Sequence, residues 1–191
     1  MTAERQERLA SRLNLEVDEL WPYLFEGEPS KLWMTGRLGW DDFWAAVLEP
    51  KGVTDPDEIR AITADVFADH DKLHPEMIAL VQELEGRYKL AVLSNASKSE
   101  EEMSEMFQRD FGLRKDLFDA IVTSTSFGAT KPDPNIYLEV LRRLEVKPEE
   151  AIFTDDIASF TAASSELGIQ SHTFTTPSLF RDYLEEKGVL L

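Results

Sequence analysis

From residue 73 onward the chain alternates short apolar runs with amphipathic stretches, and this constrains the fold more than any other feature. Lys89-Leu-Ala-Val-Leu93 and Ala120-Ile-Val-Thr123 read as short buried strands, and Ala151-Ile-Phe153 as the tail of a third. Between them lie helical patterns. Pro75 to Leu84 puts Met77, Ile78, Leu80, Val81 and Leu84 on one side, and Ser99 opens a helix with Glu100, Glu101 and Glu102 in its first turn. Asp133 and Pro134 have the order of an N-cap and a first helical residue. Thr161 to Leu167 reads as a helix stopped by Gly168, Ser171 to Phe174 as a last strand, and the tail from Pro177 to Leu191 holds one more helix. Strands and helices in this order predict an α/β class, a parallel sheet covered by helices.

Residues 2 to about 72 carry no strand pattern. Leu9, Leu13, Leu15, Val17, Leu20, Trp21 and Leu24 recur at helical spacings, and Phe43, Ala46, Val47 and Leu48 follow further on. Asp55-Pro-Asp-Glu starts a helix whose apolar face is Ile59, Ile62, Val66 and Phe67. All four tryptophans, Trp21, Trp33, Trp40 and Trp44, fall here, so a helical module packed on aromatic residues is expected in preference to a tryptophan-lined pocket. The boundary near residue 72 divides a helical module, 1–72, from an α/β core, 73–191.

Composition limits the function classes. A formal charge of −17 opposes binding to nucleic acid or anionic membranes, because phosphates attract lysine and arginine. The absence of cysteine excludes disulfides, thiolate metal sites and cysteine nucleophiles, and it fits a cytoplasmic protein. The polar opening Met1-Thr-Ala-Glu-Arg and the lack of an apolar run near 20 residues agree with that expectation.

The chemistry gathers at the ends of the predicted strands. Ala151-Ile-Phe-Thr-Asp155-Asp156 ends in adjacent carboxylates, which repel one another unless a divalent cation or backbone N–H groups neutralise them. Among 37 acidic residues such a pair is also ordinary loop chemistry, as at Asp41-Asp42. Ser94 and Asn95 follow another strand, and Lys131 sits in the loop Gly128-Ala-Thr-Lys-Pro-Asp-Pro134. A hydroxyl, an amide and an ammonium can bind phosphate oxygens while the acids hold magnesium, which describes a site for a phosphorylated substrate. His70 and His74 lie four apart, but no third ligand accompanies them and Pro75 follows, so they read as boundary residues.

In this order the motifs resemble the haloacid dehalogenase-like hydrolase superfamily. The carrying residues are Lys89 to Asn95, Phe127 to Tyr137, and Ala151 to Asp156 followed by Ala162-Ala163 and Leu167-Gly168-Ile169. The likeness is greatest to the bacterial sugar-phosphate phosphatase branch. It implies a Rossmann-like three-layer core, with residues 1–72 as a small helical cap. It also implies that Ser94, with the backbone around Asn95, binds the transferring phosphoryl group of a small phosphorylated metabolite. Lys131 would balance charge on nucleophile and phosphate, and Asp156 with Asp155 would bind Mg2+. Phe160 stands where relatives often have asparagine, a departure expected to loosen the loop behind the metal.

The family's first motif, a buried strand ending in Asp-x-Asp whose first carboxylate attacks phosphorus, is not found in these residues. The expected consequence is a chain incompetent as a phosphatase. The rival readings are a protein that binds a phosphorylated ligand or a partner without turnover, and an enzyme using a substitute nucleophile or one supplied in trans. That strand would lie centrally, between Leu90–Leu93 and Ala151–Thr154, so its absence predicts a slot about 10 Å wide at the usual ~4.8 Å strand spacing. Three outcomes are expected to compete: the flanking strands close up and pair, another chain donates a strand or the chain self-associates, or the sequence is a truncated form of a longer protein.

Overall fold

The computed structural model describes residues 2–68 and 74–190. Contacts divide the chain into two compact units, Met1–Lys72 and Leu73–Leu191. His70 falls outside the described residues, and His74 stands at the N-cap of the helix that begins at Pro75.

The first unit is helical throughout its described residues: α1 (Ala3–Arg12), α2 (Leu20–Phe25), α3 (Glu28–Met34), α4 (Trp40–Leu48) and α5 (Pro56–Phe67), with short 3-10 turns before α2 and after α4. Side chains fix where these helices begin. Thr2 accepts from the Arg5 N–H to open α1, and Asp55 accepts from the Asp57 N–H to open α5, with Pro56 in the first turn. Their apolar faces bury Leu13, Leu20, Leu24, Phe43, Trp44 and Leu48 in one core. Trp33 stacks on Phe43 with ring centroids 4.5 Å apart, and Phe25 lies against both rings and against Trp44. Trp40 and Trp44 share a face of α4, 5.8 Å apart, but Trp44 is fully buried whereas Trp40 is 44% exposed. The aromatic residues therefore make the core of this unit, and Trp40 marks its rim.

The second unit alternates as its sequence pattern requires: α6 (Pro75–Leu84), β1 (Ala91–Ser94), α7 (Glu100–Phe111), β2 (Ala120–Thr123), α8 (Ser124–Phe127), α9 (Pro134–Leu144), β3 (Ile152–Asp155), α10 (Ala158–Glu166), β4 (Gln170–Thr173) and α11 (Pro177–Glu186). Helices cover both faces of the strands. On one side Leu80 and Leu84 of α6 pack with Phe180 and Leu184 of α11 against Leu90 and Ile152; on the other, Ile136, Tyr137 and Leu141 of α9 pack with Val122 against Leu93 and Phe153. This is a three-layer, Rossmann-like α/β core.

The strands form two separate parallel pairs. β1 pairs with β2, Ala91 opposite Ala120, and β3 pairs with β4, Ile152 opposite Gln170. β1 and β3 are not hydrogen-bonded to one another, so the expected closing up of the two flanking strands does not occur. Burial follows the same division: all four residues of β1 and of β3 are half-buried, while three of the four in β2 are fully buried. In an intact sheet the inner strands would be the better covered.

Candidate active site

Ser94, Asn95, Lys131, Asp155 and Asp156 all belong to the second unit and gather around the C-terminal ends of β1 and β3. Carboxyl ends of parallel strands are where open α/β sheets present ligand-binding loops. Lys131 is the centre of the group. Its ammonium donates to the Leu93 carbonyl at 3.1 Å and to Asp155 Oδ2 at 2.5 Å, and so joins the end of β1 to the end of β3. Both side chains of the ion pair are largely buried, 7% and 10% exposed. The Phe153 and Phe160 rings lie 5.7 and 5.2 Å from the ammonium and exclude water on that side.

The lysine is held by its backbone. Asn95 Oδ1 accepts from the Lys131 N–H at 2.7 Å, and Asn95 Nδ2 donates to the Lys131 carbonyl at 3.0 Å. A side-chain amide engaged twice in this way positions the lysine, which leaves Ser94 and the backbone near Asn95 as the groups available to a ligand. The Lys131–Pro132 peptide is cis. Downstream, Asp133 accepts from the Asn135 N–H and begins α9.

The turn after β1 is fixed by residues that sequence reasoning did not single out. Ser124 Oγ accepts from the Ala96 N–H at 3.0 Å, and Thr125 Oγ1 donates to the Ala96 carbonyl at 2.8 Å. Both hydroxyls come from α8, a turn of helix whose first N–H groups include one accepted by Thr123 Oγ1. These contacts join residues 28 and 29 apart, and no local sequence signal announces them.

The two carboxylates are not equivalent. Asp155 accepts from Lys131 through Oδ2 and from the Ile157 N–H through Oδ1 at 2.9 Å, whereas Asp156 is exposed. Among the described residues no group of three histidine or acidic side chains converges on a metal position. Magnesium, however, commonly uses one or two protein carboxylates and fills its remaining positions with water and phosphate oxygens. The donor set of Asp156 and Asp155 fits that pattern, with Asp156 the more accessible ligand.

Phe160 contributes to order at this end of the core. Its carbonyl accepts from the Tyr137 hydroxyl at 3.0 Å, and Tyr137 is buried under Phe153 with the rings at right angles. Burial, and then the Asp155 charge, push the Tyr137 hydroxyl pKa well above its ordinary value, so it stays a neutral donor. A surface hollow of about 440 Å3, lined by Glu85, Arg87, Tyr88, Lys89 and Asp119, lies among the residues that lead into the N-terminal end of β1.

A parallel α/β core with a serine, a lysine and an acid pair at its strand ends describes the phosphate-handling hydrolases of the three-layer type. A family model for haloacid dehalogenase-like hydrolases matches residues 3–162, and the chain belongs to that family. Among curated proteins it is 34% identical over 108 residues to glyceraldehyde 3-phosphate phosphatase of Methanopyrus kandleri, covering 52% of this chain and 44% of the relative. Against phosphoglycolate phosphatase of Aquifex aeolicus the identity is 32% over 133 residues, covering 65% and 59%. The chain spans less than two thirds of the length of these relatives. The same fold occurs in a predicted HAD-like family hydrolase from Porphyromonas gingivalis, with a TM-score of 0.69 at 21% identity over 95% of this chain and 90% of that one. It also occurs in the magnesium complex of a HAD family enzyme from Bacteroides thetaiotaomicron, with a TM-score of 0.64 at 20% identity over 95% and 91%.

Proposed function

We propose that this chain is the phosphate- and magnesium-binding part of a phosphomonoester hydrolase acting on a small phosphorylated metabolite, and that residues 1–191 alone bind without turnover. The observation that carries this reading is the Lys131 bridge, which holds one buried ammonium between the strand end bearing Ser94 and the strand end bearing Asp155 and Asp156. Ser94 would donate its hydroxyl to a phosphoryl oxygen, and Lys131 would offset the negative charge that a phosphate brings to an acidic strand end. Asp156, with Asp155, would hold Mg2+, which when bound supplies Lewis-acid polarisation of the phosphoryl group. Magnesium complexes of a structurally similar family enzyme support the choice of metal.

Turnover requires a nucleophile, and among the described residues no strand ends in Asp-x-Asp. Loss of the nucleophile with the rest of a site retained costs on the order of 10⁴-fold or more in rate. That β1 and β3 are not hydrogen-bonded to one another favours one alternative, in which the attacking group is supplied in trans.

The test is hydrolysis of an aryl phosphate with and without magnesium, with Asp156→Asn purified alongside and Mg2+ binding measured by calorimetry. Magnesium binding that Asp156→Asn abolishes, without hydrolysis above the level of that variant, is the expected result. Hydrolysis that vanishes in Asp156→Asn would overturn the claim of incompetence, and magnesium binding that survives the substitution would overturn the assigned metal site.

A further inference from the structure

An ammonium has three N–H donors, and Lys131 spends two of them, on the Leu93 carbonyl and on Asp155 Oδ2. Aromatic rings make up the rest of its surroundings. Phe160, in the first turn of α10, lies 5.2 Å from the ammonium, and Phe153, in β3, lies 5.7 Å away. A cation this close is attracted by the negative face of a ring, and no hydrogen-bond donor is consumed. Phe160 therefore holds the ammonium and takes nothing from it. A side-chain oxygen at the same position would compete for the third N–H.

Two closed paths of contact fix the Phe160 ring, and both return to the ammonium. Along the first, Asp155 accepts from Lys131 through Oδ2 and from the Ile157 N–H through Oδ1, and the Ile157 carbonyl accepts from the Phe160 N–H at 3.0 Å. The backbone that carries the ring is thus tied to the carboxylate that pairs with the lysine. Along the second, the Tyr137 hydroxyl donates to the Phe160 carbonyl at 3.0 Å, and the Tyr137 ring stands at right angles to Phe153 with centroids 5.4 Å apart. Tyr137 is 1% exposed and close-packed, so one buried side chain bears on both rings at once.

We infer that Phe160 is a positioning residue of the strand-end site: its ring, with that of Phe153, holds the Lys131 ammonium on the bridge between β1 and β3 and leaves the third N–H to an incoming anionic oxygen. That the oxygen is phosphoryl rests on the function proposed above, whereas the placing of the ammonium against the rings does not. Two consequences separate this role from ordinary packing. Removing the ring should weaken phosphate binding, because the ammonium is no longer held where its remaining N–H is presented. It should not weaken magnesium binding in the absence of phosphate, because a less constrained Lys131 competes less for Asp155. General loosening at this end of the core would weaken both.

The test uses the 191-residue chain with isotope-labelled lysine. In the free chain the Lys131 ε-methylene protons, assigned by their absence in Lys131→Arg, should resonate upfield of those of the exposed Lys98 and Lys115, because aromatic rings shield protons above their faces. Phe160→Leu, which stays apolar but removes the ring, should move them toward the exposed position, and Phe160→Tyr, which keeps the ring, should not. Calorimetry then reads Mg2+ alone and inorganic phosphate in the presence of Mg2+. Phe160→Leu should weaken phosphate binding about fivefold with magnesium binding unchanged or tighter, and Phe160→Tyr should stay within about twofold of the parent for both.

Lys131 protons that coincide with those of Lys98 and Lys115 in the free chain would overturn the inference, whatever the chain binds. Phosphate binding by Phe160→Leu equal to that of the parent would assign Phe160 to packing, and parallel losses of magnesium and phosphate would do the same. Failure of the parent chain to bind either ion would overturn the proposed function and with it the use of the third N–H, while the lysine resonances alone decide whether the rings hold the ammonium.

Discussion

At the scale of single residues, the buried Lys131–Asp155 ion pair bears on the stability of the second unit. Removing one member of a buried pair leaves the other charge uncompensated, at about 3–5 kcal/mol, whereas removing both is much less costly. Lys131→Met and Asp155→Asn should each lower unfolding free energy by roughly 3 kcal/mol, and the double variant by clearly less than the sum; an additive cycle in urea denaturation would show that the pair is not coupled. The exposed Asp156 is the contrast, since Asp156→Asn should stay within about 0.5 kcal/mol of the parent. The position of Ser94 and of Asp155 with Asp156 at strand ends was legible in the sequence, because each follows an apolar run, and Lys131 was read from the Gly- and Pro-rich loop that holds it. The clamp of Asn95 on the Lys131 backbone was not, because it joins residues 36 apart that only the tertiary fold brings together.

Among the elements, α7 and α9 are tied to β2 through Arg143, which pairs with Glu100 and Glu139 and donates to the Ile121 carbonyl on the outer edge of that strand. Hydrogen bonds from Arg142 and then Arg143 lower the Glu139 carboxyl from its ordinary 4.5 to about 2. A depressed carboxyl stabilises the fold above its unfolded value and ceases to do so as pH falls through the folded one. Glu139→Gln should therefore cost about 1 kcal/mol at neutral pH, and its deficit should shrink between pH 4.5 and 2. A deficit independent of pH in denaturation curves would assign the loss to packing. Helices with caps and period were readable in advance: Ser99 accepts from the Glu102 N–H, and Glu102 accepts from the Ser99 N–H, the capping box that opens α7. The strands shifted by a residue or two, β3 reaching Asp155 and β4 ending at Thr173, because parallel pairing sets strand ends and composition does not. α8 went unread, since Ser124-Thr-Ser-Phe127 is too short to show any period.

Over the whole molecule, the cores of the two units are composed of different residues, one centred on Phe43 and Trp44 and the others on Leu80, Phe180, Ile136 and Tyr137. Separate cores are expected to give separable unfolding transitions, so circular dichroism in urea should depart from a single two-state curve. Magnesium should raise only the transition that belongs to residues 73–191, because a ligand stabilises the fold that binds it. A single transition that moves as one on its addition would show that the units are thermodynamically joined. The alternation of strand and helix made the class of fold legible from sequence. Whether the strands flanking the slot would stay apart was not, because that depends on how two covered half-sheets balance unpaired edges against the rigidity of their helices.

Every indole in the chain lies in the helical unit, three of them in or against its core and Trp40 at its rim. The protein is therefore labelled by its own sequence: tryptophan emission reports on residues 1–72 alone, and the half that carries the strand ends is dark at that wavelength. A tryptophan placed in the α/β half would light the other unit independently, and any change in native emission on adding a ligand of the strand ends would be a direct optical signature of communication between the halves.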